Sequence, residues 1–149
     1  VGRVCEASLD DVAAALDAAA GFAPSWAATA PADRASALEA AARQLEADMP
    51  RLIGLLMREA GKTAANAVAE VREAVDFCRY YAARARVDLA PIELPGPTGE
   101  RNVLRHEGRG VWVAIAPWNF PLAIFLGQVA AALVAGNTVV AKPAPQTPA

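Results

Sequence analysis

The sequence predicts an α/β protein in which amino-terminal helices are followed by part of a parallel sheet. Alanine makes up about a quarter of the 149 residues and favours helix. Of the 30 charged residues, 29 lie between Arg3 and Arg109, whereas residues 110–141 carry no charge. That uncharged stretch holds two β-prone apolar runs on either side of a helical run, which is the pattern of a βαβ unit.

The first helix is predicted from a polar start and an apolar repeat. Ser8 offers a side-chain acceptor, and Asp10 and Asp11 place acid in the first turn, so the start resembles a capping box. Apolar residues then recur at helical spacing, and we expect the helix to end at Gly21. Residues 22–30 contain a proline and are predicted to form a connection.

Three more helices are predicted over about 31–48, 50–61 and 63–84, from proline or threonine starts and apolar stripes. Glu70, in the last of them, belongs to the charged residues predicted to cover its exposed side. The residues predicted to form the buried face of this helix are Ala67, Val71, Ala74, Val75, Cys78 and Ala82.

Prolines and glycines then break any helix until the strands begin. Residues 102–107 alternate enough to form a strand at a sheet edge or in a hairpin. Residues 111–116 form a continuous apolar run, typical of a parallel strand that helices cover on both faces. A helix over 122–135 and a second strand over 138–141 complete the βαβ unit.

Charge and hydropathy exclude two classes of partner. A net charge of −2 gives no electrostatic reason to bind nucleic acid or an anionic membrane. A transmembrane helix needs about 20 consecutive apolar residues, and the best window, 122–135, is shorter and contains Gln128. We therefore predict no membrane span. The uncharged stretch is then either a buried core or the surroundings of a site.

Cysteine and histidine usage limits the chemistry further. Cys5 and Cys78 do not make a disulfide framework and predict free thiols in a reducing compartment. His106 is the single histidine and cannot build a cluster with two distant cysteines, so we predict no metal site. The chain begins with Val1 and lacks the apolar segment of a signal peptide, and we expect it to be a piece of a longer chain.

Polar residues follow both parallel strands. Asn119 lies in a proline-bracketed turn, 117–121, and a buried asparagine there is costly unless its amide is satisfied. The carboxyl end of a parallel strand is also where α/β sheets place ligands, so the turn is either structural or part of a site. Lys142 follows the second strand and is either a snorkelling lysine or a cation that faces a polar ligand.

Around these residues the sequence resembles the aldehyde dehydrogenase superfamily. The segments that carry the resemblance are 59–63, 116–122, 131–143 and 146–148. Residues 73–82 and 122–130 narrow it to the glutamate-γ-semialdehyde (pyrroline-5-carboxylate) dehydrogenase module of bifunctional proline utilization A. The resemblance extends from about Phe22 to the end and implies an incomplete, Rossmann-like NAD-binding domain.

The resemblance also implies a mechanism. A cysteine thiolate attacks the aldehyde, hydride passes to the nicotinamide, and water hydrolyses the thioester. Asn119 matches the oxyanion-hole asparagine, whose neutral NH₂ group can hold the developing alkoxide without giving up a proton. Neither Cys5 nor Cys78 matches the nucleophile, and we expect that cysteine and the general-base glutamate beyond Ala149.

Other site residues are carried over from the family in the same way. Phe120 matches a residue near the aliphatic chain of the substrate, Glu70 is expected near the substrate mouth, and Lys142 matches a lysine that binds the adenosine ribose. The expected cofactor-binding residues are Ile115, Ala116, Pro117, Trp118, Lys142, Pro143, Ala144 and Pro145. The expected cofactor is NAD, with NADP left open because Pro145 replaces a glutamate that often grips the ribose. The sequence has no Gly-x-Gly-x-x-Gly motif, consistent with this family's different way of binding the dinucleotide.

We divide the chain into a helical part of the cofactor domain over 1–86, a strand and loop segment with oligomer contacts over 87–109, and the first βαβ unit over 110–149. The expected partners are a small-molecule aldehyde, further copies of the full-length protein and a fused proline dehydrogenase domain. The expected location is the bacterial cytoplasm, with peripheral membrane contact only through such a fused domain.

Two functions follow from these patterns. In the first, the chain is part of an NAD(P)-dependent aldehyde dehydrogenase that oxidises L-glutamate γ-semialdehyde to L-glutamate in proline catabolism. In the alternative, it is a catalytically silent fragment or assembly segment that lacks the nucleophilic cysteine and the base. An assay of the 149 residues for aldehyde-dependent NADH formation separates the two, and we expect no turnover from the chain alone.

Overall fold

A computed structural model describes residues 3–149 and confirms the α/β architecture. In this part of the chain the elements are α1 (Leu9–Ala28), α2 (Pro31–Ala47), α3 (Met49–Glu59), α4 (Ala64–Asp88), β1 (Ile92–Leu94), β2 (Asn102–Leu104), β3 (Val111–Ile115), α5 (Ala123–Val134) and β4 (Thr138–Lys142). Helices α2, α4 and α5 pack together, α5 packs against β3 and β4, and α1 lies along β4. The site therefore rests on a helical layer beside a small sheet.

Helix α1 begins as predicted but does not end at Gly21. Ser8 forms the capping box, because its hydroxyl accepts from the Asp11 N–H at 3.2 Å and the Asp11 carboxylate accepts from the Ser8 N–H at 2.9 Å. These bonds lower the pKa of Asp11. The prediction of a connection over 22–30 is wrong, because the helix continues to Ala28.

Tertiary hydrogen bonds explain why α1 runs on. The indole N–H of Trp26 donates to the Leu133 carbonyl at 2.8 Å, and the Thr138 hydroxyl donates to the Ala19 carbonyl at 2.9 Å. These bonds attach the second half of α1 to the βαβ unit. Local glycine and proline preferences, which favour a break at this point, are weaker than such long-range contacts.

The next three helices confirm the prediction closely. Each of α2 and α3 carries a proline in its first turn, and Thr63 caps α4 by accepting from the Asn66 N–H at 3.3 Å. Gly61 adopts a φ of +66°, a conformation that favours glycine, between α3 and α4. All six residues predicted to form the buried face of α4 are buried.

The strands form two separate pairs. β1 pairs antiparallel with β2, with Ile92 opposite Leu104, so the strand predicted over 102–107 lies in a hairpin and ends at Leu104. β1 itself is flanked by Pro91 and Pro95 and was not predicted. β3 pairs in parallel with β4, which confirms the βαβ unit, and α5 between them ends at Val134, two residues before Gly136, whose φ is +90°.

The uncharged stretch is only partly enclosed in residues 3–149. Ala114 is buried, but Trp112, Val113 and Ile115 are 51%, 55% and 62% exposed. The expectation that helices cover β3 on both faces is therefore wrong for this part of the chain, because three of its five side chains are exposed although α5 and α1 pack against the strand. None of the helices described combines the length and apolar character that a bilayer span requires.

The core holds small side chains that let helices approach closely. Its larger cluster joins α2, α4 and α5 and consists of Ala35, Leu38, Ala42, Val75, Cys78, Ala82, Ala85, Ala130 and Val134. A smaller cluster of Leu56, Ala67 and Val71 joins α3 to α4, with Leu122 packed against it. Volume changes in such cores are poorly tolerated.

A buried arginine donates hydrogen bonds to carbonyl groups at the carboxyl ends of two helices. Arg34, which is 4% exposed, donates from Nε to the Val134 carbonyl of α5 at 2.9 Å. Its Nη1 donates to the carbonyls of Ala27, at 3.3 Å, and of Thr29, at the end of α1. Burial lowers the pKa of the Arg34 guanidinium, while the carbonyls and the negative helix ends favour its charged form.

Replacing Arg34 is expected to destabilise the fold. Arg34→Met leaves several buried carbonyls without a donor, so the free energy of unfolding should fall by about 2–4 kcal/mol. Urea denaturation measures the loss, and Arg43→Met, which changes an exposed arginine on the same helix, serves as the control. Equal stability of the two variants would contradict the assignment.

Candidate functional site

The carboxyl ends of β3 and β4 lie side by side, as the sequence predicts. Ile115 is opposite Lys142 in the register, and the Ala116 N–H donates to the Lys142 carbonyl at 3.1 Å. Ala116 is buried, whereas Ile115 and Lys142 are exposed. The two strand ends thus form one edge, from which the turn 117–121 continues toward α5.

This turn faces a cleft of about 440 Å³. One wall is the segment between α3 and α4 together with the first turns of α4, and the other is the turn itself. The lining residues are Ala60, Gly61, Lys62, Thr63, Asn66, Ala69, Glu70, Glu73, Trp118, Asn119 and Phe120. The cleft therefore brings together four predicted site residues. Trp118, Asn119 and Phe120 lie on the turn, and Glu70 lies on α4.

Asn119 is exposed, so the cost of burying an unsatisfied amide does not arise at this position. Residues 118–120 form bends without regular hydrogen bonding between β3 and α5, and this leaves the Asn119 amide at the surface of the cleft. Trp118 and Phe120 on either side are 56% and 37% exposed. A neutral amide in this position can donate to an oxygen in the cleft.

Glu70 is buried, contrary to the prediction that it covers the exposed side of α4. It is 1% exposed, and its Oε1 accepts from the backbone N–H groups of Leu122 at 2.9 Å and Ala123 at 3.2 Å. Helix α5 has no capping side chain of its own. A carboxylate from α4 therefore satisfies its first N–H groups and complements the positive end of its dipole.

Lys62 provides the opposite charge. Its Nζ lies 2.5 Å from Oε2 of Glu70, and the side chains are 11% and 0% exposed. The same Nζ lies 3.8 Å from the centroid of the Phe120 ring, which is a cation–π geometry. In the sequence, Lys62 is one residue of the segment 59–63 that resembles a family motif, and no pattern there predicts its contact with Glu70 or Phe120.

Glu73 lies one helical turn after Glu70 and also lines the cleft, but its side chain is exposed. It was not predicted as a site residue. The sequence feature that could have indicated Glu73 is its (i, i+3) spacing from Glu70, which puts both carboxylates on neighbouring parts of one helical face. The structure separates their roles, because Glu70 is bound to backbone and Lys62 whereas Glu73 faces the open cleft.

The second group of predicted residues follows β4. Lys142 lies outside the lining of the cleft, and its Nζ donates to the Pro143 carbonyl at 2.9 Å. Pro143 and Pro145 are exposed and Ala144 is buried in the turn that leads to Thr147. The structure thus leaves Lys142 exposed at the strand edge and does not join it directly to Asn119.

A larger groove of about 560 Å³ lies between β3 and α5 but offers less chemistry. It is mostly apolar, and Trp112, Gln128 and Asn137 are the residues in its lining with polar side-chain atoms. Asn137 is already engaged, because its Oδ1 accepts from the Arg109 N–H at 2.6 Å and its Nδ2 donates to the Ala132 carbonyl. The smaller cleft at Asn119 is therefore the better candidate site.

The two cysteines lie away from this cleft. Cys78 belongs to the core of α4, and burial raises the pKa of its thiol, which disfavours the reactive thiolate. Cys5 is exposed ahead of α1. Within residues 3–149 no group of three His, Cys, Asp or Glu side chains comes close enough to hold a metal ion.

Comparison with known proteins identifies the relatives of this arrangement. Residues 1–149 match the family model described as the aldehyde dehydrogenase family. Bifunctional protein PutA of Escherichia coli (strain K12) is 54% identical over 148 residues, which are 99% of this chain and 10% of that protein. The chain therefore spans about a tenth of the length of this curated relative.

Solved structures agree with the fold. A mutant of proline utilization A from Bradyrhizobium japonicum superposes with a TM-score of 0.95 at 56% identity, over 97% of this chain and 15% of that one. A 1-pyrroline-5-carboxylate dehydrogenase from Thermus, with NAD bound, gives a TM-score of 0.89 at 38% identity, over 95% and 28% of the two chains.

Because Glu70 is buried and Glu73 is exposed, we expect their removal to change the free energy of unfolding by different amounts. Glu70→Ala strands the Lys62 ammonium and leaves two backbone N–H groups without their acceptor, so the free energy of unfolding should fall by about 3–5 kcal/mol. Glu73→Ala changes an exposed side chain and should stay within about 0.5 kcal/mol of wild type. Urea denaturation compares the variants, and similar losses would show that Glu70 is not the buried cap.

Proposed function

Because the chain belongs to the aldehyde dehydrogenase family, we propose that it is part of an enzyme that oxidises L-glutamate γ-semialdehyde to L-glutamate with NAD(P). The observation that carries the proposal is the exposed Asn119 amide in a cleft at the carboxyl end of β3. Similarity to bifunctional PutA and to a 1-pyrroline-5-carboxylate dehydrogenase supports a role in proline catabolism.

Asn119 suits the stabilisation of an alkoxide. When a nucleophile adds to an aldehyde, negative charge develops on the carbonyl oxygen, and a preorganised N–H donor lowers the barrier to that step. An amide donates without giving up its proton, whereas a carboxylate in the same place would repel the charge. We assign no nucleophile to this chain, because Cys78 is buried and Cys5 lies ahead of α1.

The charges around the cleft fit an amino-acid aldehyde. Glu70 and Lys62 neutralise each other, so Glu73 is the carboxylate of the lining that remains open to a ligand. Glutamate semialdehyde carries an ammonium group that Glu73 could pair with. Phe120, with its partly exposed ring, provides an apolar surface for the methylene groups of such a substrate.

The residues at the strand edge fit a dinucleotide. Ile115 and Trp118 expose largely apolar side chains, and the Lys142 ammonium has two N–H donors for ribose hydroxyls besides the one bonded to the Pro143 carbonyl. Ala116, Pro117, Pro143 and Ala144 contribute mainly backbone, and Pro145 contributes no side-chain donor. When bound, the cofactor accepts the hydride. The structural neighbour with bound NAD supports NAD(P) use, and the preference for NAD stays a prediction.

The proposed context is that of the similar bifunctional proteins. A fused proline dehydrogenase domain is supported by the similarity to bifunctional PutA. The hairpin of β1 and β2 exposes Ile92, Leu94 and Leu104, which suits the predicted oligomer contacts of residues 87–109. The domain boundaries, the oligomer and the cytoplasmic location remain predictions.

Removing the proposed oxyanion donor should slow the reaction. In the full-length enzyme that contains this chain, we expect Asn119→Ala to lower kcat by roughly 10²–10³, the usual loss for one such donor. Steady-state kinetics with glutamate semialdehyde and NAD measures the effect. Asn66→Ala, at another asparagine that lines the cleft but follows no strand, is the control. A kcat for Asn119→Ala near that of wild type would contradict the role of Asn119.

Removing the proposed ribose contact should weaken cofactor binding instead. We expect Lys142→Ala to raise the Kd for NAD by about 10-fold or more, as for a lost hydrogen bond to a charged group. Calorimetric titration of the full-length enzyme measures the Kd, and Arg109→Ala, ahead of β3, provides a control that also removes one positive charge. An unchanged Kd in Lys142→Ala would count against the assignment.

A further inference from the structure

One buried ion pair holds both sides of the turn that carries Asn119. On one side, Oε1 of Glu70 accepts from the N–H groups of Leu122 and Ala123, just after the turn. On the other, Lys62 lies 2.5 Å from Oε2 of Glu70 and 3.8 Å from the ring centroid of Phe120, the residue next to Asn119. The pair therefore connects the start of α5 to the side chain beside the proposed donor.

The turn has little regular structure to fix it otherwise. Residues 118–120 belong to neither β3 nor α5, and their side chains are exposed. An oxyanion donor is effective only when it is held in place before the charge develops. The contacts that restrain the neighbours of Asn119 thus decide how well its amide is preorganised.

We propose that Lys62 and Glu70 are positioning residues for the Asn119 amide, acting through Phe120 and through the first N–H groups of α5. This inference rests on the proposed function, because it assumes that Asn119 is the oxyanion donor. Neither residue touches the reacting atoms. The Lys62 contact restrains the Phe120 side of the turn, and the Glu70 contacts restrain the α5 side.

The experiment uses a double variant that should remain folded in the full-length enzyme. Lys62→Met with Glu70→Gln removes both charges together, so no unpaired charge is buried, and the glutamine oxygen can still accept from the two N–H groups. The variant loses the ammonium that bridges Glu70 and Phe120, together with the charge of Glu70 that this ammonium compensates. A thermal unfolding midpoint near that of wild type verifies that the fold is retained.

We expect this double variant to lower kcat by roughly 3- to 30-fold, the range that corresponds to a partly desolvated cation–π contact. The KM for the aldehyde should change less than kcat, because the donor acts mainly in the transition state. The matched control is Arg79→Met with Glu46→Gln, which removes an exposed ion pair of α4 and α2 and should leave kcat within about twofold. A folded double variant with the kcat of wild type overturns the inference.

Combination with Asn119→Ala separates positioning from a general structural effect. If the pair acts through Asn119, adding the double variant to Asn119→Ala lowers kcat by less than about twofold further, because no donor remains to be positioned. If the two losses multiply, the pair acts elsewhere and the inference is wrong. If Asn119→Ala alone leaves kcat unchanged, the proposed function fails, an outcome that is distinct from failure of the positioning role.

Discussion

The structure depends on the buried carboxylate of Glu70 at the amino end of α5. The helix has no cap within its own sequence, and Glu70 supplies one from α4. Because Leu122 and Ala123 follow the turn directly, this one interaction fixes where the turn 117–121 ends and where α5 begins. Lys62 compensates the charge and reaches the aromatic ring of the turn, so the fold and the cleft share one ion pair.

Arg34 performs the corresponding task at the other end of α5. Its guanidinium binds the Val134 carbonyl and the end of α1, where the negative ends of two helix dipoles meet. A helix in the uncharged stretch of 110–141 is therefore held at both ends by charges from α4 and α2. The βαβ unit carries no charge of its own in this stretch, and the charges that cap its helix are buried side chains of α2 and α4.

Sequence patterns predicted an element correctly where neighbouring residues determine it. The Ser8 capping box, the proline starts of α2 and α3 and the buried face of α4 follow from neighbouring residues and confirm the predictions. The extension of α1 past Gly21 was missed because Trp26 gains a partner more than a hundred residues away. Strand β1 was missed because its pairing with β2, rather than its own proline-flanked sequence, defines it.

For the site, the sequence alone determined which chemistry-bearing residues follow the two strands, and the parallel pairing of those strands placed Asn119 and Lys142 at one edge. Only the tertiary structure decided that Glu70 is buried, that Glu73 is open to the cleft and that Lys62 joins Glu70 to Phe120. The physical reason is that the helical period specifies a face but not its partner. Whether a carboxylate is solvated or caps another helix depends on which backbone packs against it.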